Sequence, residues 1–377
     1  MKRTKSEIQF EALNLSEFHS YLVLEHATGL GKSLAAINII EKYGGNWNIV
    51  LAETNHELNW IEEFKEHNKQ HLLENIKFFC YQSLHKNLND QNYIFDELHH
   101  ICSEKRLNEL NHIHLFNLKR FIGLSATLTR IQKEEIGNVI GSFHVYKISL
   151  DDAISWGILP EPTIYLVGTE LDNITINQTF HFNKIKSVDC TELDWYNYQS
   201  ERIEHFKLKY YSVQQEWAKI KWLKSANDRK KFLATCKTKY AVKLLEYLKS
   251  KRLICFTGSI EQSEQLSNGL SIHSKISKKK REELLNKFNS GEIDKLFATG
   301  MLKEGQNLNN IQVGIIIQLD NVDRYFVQVT GRTLRAKFPE QYIMYVKNTQ
   351  DEVYIEKVLN NINKDYVNYT DINQLTN

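Results

Sequence analysis

Two short stretches hold the residue types that phosphoryl chemistry needs. In Ala27-Thr28-Gly29-Leu30-Gly31-Lys32-Ser33 the glycines let the backbone bend so that successive N–H groups can face an anion. Lys32 supplies a point charge for β- and γ-phosphates, and the Ser33 hydroxyl can bind Mg²⁺. A helix starting there adds its positive end. Further along, Tyr93-Ile94-Phe95 runs into Asp96-Glu97-Leu98-His99-His100. An apolar strand ending in two adjacent carboxylates can deliver them to a magnesium nucleotide. Asp96 would hold the metal beside Ser33, and Glu97 would orient and deprotonate the attacking water. Acids in this position would also suit an ordinary helix N-terminus.

The elements around these stretches give them a place. Tyr21-Leu22-Val23-Leu24 reads as a buried strand before the glycine-rich turn. The run from Ser33 to Tyr43 reads as a helix, closed by Gly44-Gly45. Strand, turn and helix make a phosphate-binding loop. The strict pattern has glycine six residues before the lysine, and here His26 stands there. Trp47-Asn48-Ile49-Val50-Leu51-Ala52 and Ile76-Lys77-Phe78-Phe79-Cys80-Tyr81 are further strands, and Leu58, Ile61 and Phe64 have helical spacing between them. Gln9-Phe10-Glu11-Ala12-Leu13 starts an amphipathic helix. Phe121-Ile122-Gly123-Leu124 is a strand leading to small hydroxyl residues. Strands that alternate with helices predict a parallel sheet covered on both faces.

At 377 residues the chain can form two cores, and Pro160 and Pro162 mark a natural junction. A net charge of +2 gives no global field, so any basic surface must be local. The five cysteines are scattered without a CxxC pair, which argues against a disulfide framework or a cysteine zinc site. No apolar run could span a bilayer, so a cytoplasmic protein without a membrane partner is expected. Residues 191–233 differ in texture. Trp195, Tyr196, Tyr198, Phe206, Tyr210, Tyr211, Trp217 and Trp222 are interleaved with lysines, without glycine or proline. This reads as one or two long helices. Most rings are expected to pack on the core and some lysines to meet phosphates.

Taken in order, Gly29-Leu30-Gly31-Lys32-Ser33, Asp96-Glu97-Leu98-His99 and Gly123-Leu124-Ser125-Ala126-Thr127-Leu128 resemble motifs I, II and III of superfamily 2 helicases and translocases of the DExH type. Asn59-Trp60-Ile61-Glu62-Glu63-Phe64 is similar to the NWxxEF segment of the Snf2-like branch, and Tyr81-Gln82-Ser83-Leu84 to the segment that follows it. The stretch Ala153 to Pro162 resembles the exit from the first motor domain in phage and bacterial DNA repair helicases. Lys303-Glu304-Gly305-Gln306-Asn307-Leu308 resembles motif V, and Gln328-Val329-Thr330-Gly331-Arg332-Thr333-Leu334-Arg335 resembles motif VI.

The resemblance implies an α/β protein of two tandem RecA-like P-loop domains with parallel sheets. An ATP-binding domain would span 1–160 and a C-terminal domain 161–377, with a helical insertion at about 191–233. ATP and Mg²⁺ would bind between the domains. Gln9 would read adenine, and Thr28, Gly29, Leu30, Gly31, Lys32, Ser33 and Gly305 would line the nucleotide. Lys32, Asp96, Glu97, Gln328, Arg332 and Arg335 would form the catalytic set. His99, Ser125, Ala126 and Thr127 would couple nucleotide state to nucleic acid, which Thr54, Thr257, Ser274 and Thr299 would contact. The activity implied is an ATP-dependent nucleic-acid motor. DNA is favoured over RNA as the partner, and a DNA helicase is the leading form. A duplex translocase without strand separation, an RNA helicase and the motor subunit of a nuclease complex with protein partners are the alternatives.

Overall fold

Apolar runs become central strands because a strand buried on both faces has no polar side to show. In the first half, β1 (Tyr21–His26), β2 (Trp47–Leu51), β3 (Ile76–Cys80), β4 (Asn92–Asp96), β5 (Arg120–Ser125) and β6 (His144–Ile148) form one sheet. Its order is β3-β2-β4-β5-β1-β6, and every pairing is parallel. Side chains alternate between its faces. Leu22, Leu24 and Ile94 join Ala12, Ile39, Trp60 and Phe64 from helices α1 (Lys5–Phe18), α2 (Lys32–Tyr43) and α3 (His56–Glu66). Val23, Tyr93 and Phe95 join Leu110, Ile113 and Ile136 from α4 (Glu104–Leu115) and α5 (Arg130–Ile140) on the other face. Helix starts are capped from the sequence, by Thr4 with Glu7 and by Thr129 with Gln132.

The computed structural model describes residues 2–54, 56–87, 90–116, 118–182, 186–299, 308, 310–319, 336, 338–359 and 362–376. Its contacts gather into two compact units, one holding residues 1–161 and the other starting at Pro162. Helix α6 (Leu150–Ser155) leads out of the first.

The second unit begins with β7 (Thr163–Thr169) and a small antiparallel pair, β8 (Gln178–His181) with β9 (Ser187–Cys190). Helices α7 (Glu192–Val213) and α8 (Glu216–Cys236) follow as a long hairpin, then α9 (Thr238–Tyr247). The hairpin turns at Gln214, whose φ of 49° breaks the helix without help from glycine or proline. The sheet is completed by β10 (Leu253–Thr257), β11 (Ser271–Ile272), β12 (Lys295–Thr299), β13 (Val313–Ile316), β14 (Glu340–Val346) and β15 (Val367–Asp371). Its order is β11-β12-β10-β13-β14-β7-β15, again parallel throughout, with β13 at the centre as its apolar run predicts. Helix α10 (Ile260–Ser267) is capped by the Ser259 hydroxyl. Gln262 follows Ser259 by the three residues of a capping box, yet it does not bond back to the Ser259 N–H to close one. Its side chain accepts from the Gly258 N–H and donates to Ala234 O and Thr238 Oγ1, so it ties α10 to the helices behind it. Among the described residues no helix is long and apolar enough to cross a membrane. Gly305, Gln328, Arg332 and Arg335 lie outside the described residues.

Candidate active site

In a parallel α/β sheet the loops at the carboxyl ends of the strands share one edge, where ligands bind. Here that edge gathers the loop after β1, the end of β2, the end of β4 and the turn after β5. Gly29 and Gly31 have φ of 91° and 77°, the region that favours glycine. A Cβ on Gly31 would also fall 2.5 Å from Gln9 Nε2. The close approach explains the glycine and brings the Gln9 amide to the loop. Helix α1 is held there by Glu11, which accepts from Tyr146 at 2.7 Å and pairs with Arg3. Arg3 in turn lies 4.9 Å over the Trp156 ring. This tether carries no motif, and nothing in the spacing of those residues announces it.

Helix α2 begins at Lys32, one residue before the sequence expectation. The Lys32 ammonium donates to His26 O at 2.9 Å, which folds the side chain back over its own loop. Burial lowers its pKa, and the charges of Glu97 and Asp96 oppose that shift. Loop lysine and strand carboxylates therefore share one field, although β5 separates their strands. His26 ends β1, fully buried, with its ring edge-on to Tyr146 at 4.8 Å. Both ring nitrogens are buried without a hydrogen-bond partner. Burial, reinforced by Lys32, depresses its pKa to about 3, so the ring is neutral.

The Asp96 carboxylate is fixed from two sides. Trp60 Nε1 donates to one oxygen at 3.0 Å and the Glu97 backbone N–H donates to the other at 3.1 Å. The buried Tyr81 hydroxyl donates to Asp96 O at 3.0 Å. In the sequence Trp60 and Tyr81 stand only as parts of similar segments; their work as holders of Asp96 emerges from the packing. Glu97 sits at φ 50°, a left-handed position that swings the chain off the strand. His99 Nδ1 lies 3.5 Å from Glu97 Oε2 and is mostly buried. Gly123 in the neighbouring strand makes this turn possible, because a Cβ there would meet Leu98 Cδ2 at 2.4 Å. After β5, Ser125 Oγ donates to Thr127 O at 2.9 Å and shapes the Ser125-Ala126-Thr127 turn.

A hydroxyl and a carboxylate are the oxygen donors that Mg²⁺ prefers, with waters and phosphate oxygens filling the other positions. Ser33 and the pre-oriented Asp96 fit that set.

The expected nucleic-acid contacts divide between the units. Thr54 is exposed just after β2. Thr257 and Thr299 end the neighbouring strands β10 and β12 in register, their hydroxyls 3.0 Å apart. Both hydroxyls also donate to Ser259 O, so they shape that loop. Ser274 is exposed just beyond β11.

The insertion corrects one expectation. Rings near its base do pack inward, with Trp195 stacked on Phe232 at 4.0 Å and the Tyr196 hydroxyl accepting from the Gln350 N–H at 2.8 Å. Rings toward its tip lie against one another and against nearby cations. Arg229 bonds within the protein, to Ser200 Oγ at 2.9 Å and Gln350 Oε1 at 3.0 Å.

Comparison with known proteins agrees with this geometry. The model of the type III restriction enzyme res subunit matches residues 2–130, and that of the helicase conserved C-terminal domain matches residues 218–337. A DNA 3'-5' translocase XPB2 from Sulfurisphaera tokodaii is 23% identical over 371 residues, covering 92% of this chain and 82% of its own. DEAD-box ATP-dependent RNA helicase 53 from Oryza sativa subsp. japonica is 28% identical over 112 residues, 28% of this chain and 19% of that one. In fold, the chain is similar to S. cerevisiae Dbp5 bound to RNA and ADP BeF3, with a TM-score of 0.62 at 10% identity, over 98% of this chain and 93% of that one. The Pyrococcus furiosus Hef helicase domain gives a TM-score of 0.52 at 15% identity, over 94% and 97%. The two parallel sheets are thus tandem RecA-like domains. With both family models in chain order and the carboxylates set beside the phosphate loop, the chain belongs to the superfamily 2 helicases and translocases, ATP-hydrolysing nucleic-acid motors.

Proposed function

We propose that the chain is a DNA motor, with DNA favoured over RNA and a helicase as its leading form. Gln9 reads the adenine, the Thr28–Ser33 loop holds the phosphates and Lys32 neutralises their charge. Ser33 and Asp96 hold Mg²⁺, which when bound neutralises charge on the phosphate oxygens. Glu97 orients the attacking water and takes its proton. Trp60 keeps Asp96 in one orientation, so the metal carboxylate needs no reorganisation at the moment of reaction. His99 and the Ser125–Thr127 turn carry the nucleotide state toward nucleic acid. Gly305 lines the nucleotide. Arg332 and Arg335, with Gln328, stabilise the charge that grows on the transferred phosphoryl group.

The observation that carries the hydrolytic part is the Trp60–Asp96 hydrogen bond beside a lysine whose pKa already feels both carboxylates. The preference for DNA is supported by the relative that matches most of the chain, which is by name a DNA translocase. The Snf2-like character of the Asn59–Phe64 and Tyr81–Leu84 segments supports the same preference. The second reading, an RNA helicase, is favoured by the relatives that are by name RNA helicases, matched over about a third of this chain or less. Strand displacement measured beside triplex displacement tests the form of motor. Displacement of a triplex strand with no separation of a duplex would overturn the helicase form in favour of the translocase.

A further inference from the structure

The helical hairpin separates into two halves of different chemistry. Its base is tied down by Tyr196 and Arg229, both bonded to Gln350, and by Trp195 edge-on to Phe180. In the tip half, residues 205–224, there are five lysines and one carboxylate. Only Lys207 and Lys219 have an acidic neighbour among the described residues, at 3.6 and 3.8 Å. The rings there form two groups, one of Phe206 and Trp217 and one of Tyr210, Tyr211 and Trp222. Phe206 meets Trp217 at 6.2 Å, and Trp222 meets Tyr210 and Tyr211 at 6.3 and 6.1 Å. Lys209 and Lys221 lie over the Trp217 ring, 5.5 and 5.0 Å from its centre. The indole N–H is already used locally, donating to Gln215 Oε1 at 2.5 Å, which fixes the ring plane. Yet Trp217 is 42% exposed and Tyr211 65%, and Leu208, Ile220 and Leu223 beside them are exposed as well. A folding core would bury such side chains, so a cluster left open and edged with cations is built for a partner.

We propose that the hairpin tip is a docking surface for single-stranded polynucleotide, outside the motif-bearing edges of the two sheets. The inference rests on the motor reading. Two kinds of group meet here that such a strand needs. Flat rings accept bases of any sequence by stacking, and unpaired lysines accept the phosphates. Charge decides the occupant, because the tip's excess of lysines matches a polyanion.

The test uses the full chain and a fluorescein-labelled oligothymidylate, with affinity read by anisotropy over a range of salt. Trp217→Ala with Tyr211→Ala should weaken binding about tenfold, while Trp217→Phe alone should keep it near wild type. Lys209→Ala with Lys221→Ala should reduce the steepness of the log–log salt dependence by about 1.4, the share of two single-strand phosphates. Basal hydrolysis without polynucleotide should stay unchanged in all of them, which shows that the fold survives. Unchanged affinity and salt slope in both double variants would overturn the proposal. So would a wild-type dimer, seen by sedimentation, that the ring variants dissolve, because the tip would then be a self-association face. Wild-type hydrolysis that no polynucleotide raises would sink the motor reading instead, a different result from wild type and variants being stimulated alike.

Discussion

The phosphate-loop edge of the first sheet and the tip of the hairpin handle polar and aromatic groups in opposite ways. At the loop edge several key groups are held before any ligand arrives. Asp96 is gripped by Trp60 and its own neighbour's N–H, Lys32 rests on His26 O, and Ser125 closes on Thr127 O. At the hairpin tip the rings are left open and most cations are left without acids. The first region is built for charge placement, in which a shift of an ångström is costly. The second is built for adaptable contact. Substitutions in the first should therefore change turnover, and substitutions in the second should change affinity for polynucleotide.

The largest expected effects lie at the loop edge. Lys32→Ala should leave no measurable ATP turnover. Glu97→Gln should still bind ATP yet hydrolyse it about 10²–10⁴ times more slowly, because an amide cannot take the proton of water. Normal turnover by Glu97→Gln in a phosphate-release assay would remove the base from its assigned residue. Next is Arg335→Ala, where stimulated hydrolysis should fall at least about a hundredfold, the lower reach of arginine-finger effects. Lysine should not restore it, since it lacks the planar fork. A loss of two- or three-fold in both Arg332→Ala and Arg335→Ala would cancel the role given to them.

Trp60→Phe sharpens the comparison, because it keeps the ring and deletes one N–H. Loss of a hydrogen bond to a charged group costs about 1.5–3 kcal/mol. If Trp60 positions Asp96, the Mg²⁺ concentration needed for half-maximal hydrolysis should rise about tenfold or more, beside the modest fall in melting temperature that the lost bond itself brings. An unaltered Mg²⁺ requirement would make Trp60 a packing residue. Arg229→Ala asks the matching question of the hairpin base. Its bonds run within the protein, so polynucleotide affinity should hold while stability falls by roughly 1 kcal/mol in a denaturant titration. Weaker binding without loss of stability would make Arg229 a phosphate contact instead.

The last effect, seen only as pH falls, concerns His26. Unfolded, its imidazole titrates near 6.5, and in the fold burial and Lys32 depress it to about 3. Between those values the unfolded chain binds the extra proton, so stability is full above pH 6.5 and declines as pH falls toward 3. The His26 share of that decline is about 2 kcal/mol by pH 5. His26→Phe should flatten the pH dependence of unfolding between 6.5 and 5, whatever its own starting stability. An equal slope in both proteins would mean that this imidazole does not hold off its proton.

What the sequence made legible follows the same division. Phosphate chemistry constrains residue type and spacing together, so Gly29, Gly31, Lys32, Ser33, Asp96 and Glu97 could be picked out one by one. The first parallel sheet followed from apolar runs such as that of β2, whose burial on two faces leaves little ambiguity, and the second was expected only from the resemblance. The Trp60 and Tyr81 contacts with Asp96 were not legible, because they join segments far apart in the chain and depend on how α3 packs. Gln262 shows how a local signal can be half right: the Ser259 cap forms, but tertiary contacts claim the glutamine amide. In the hairpin, composition gave two kinds of residue without saying which end of each helix meets the core. Only the packing of Trp195 between Phe232 and Phe180, beside the exposure of Trp217, separates anchor from surface.

The central claim is that the loop-edge site hydrolyses ATP in response to nucleic acid. Its most direct test is the steady-state ATPase rate of the wild-type chain with no polynucleotide, with single-stranded DNA, with duplex DNA and with RNA, using Lys32→Ala as the blank. A low basal rate, raised severalfold or more by DNA and less by RNA, is the result expected. A rate that is the same in all four conditions, or no higher than the blank, would contradict the account.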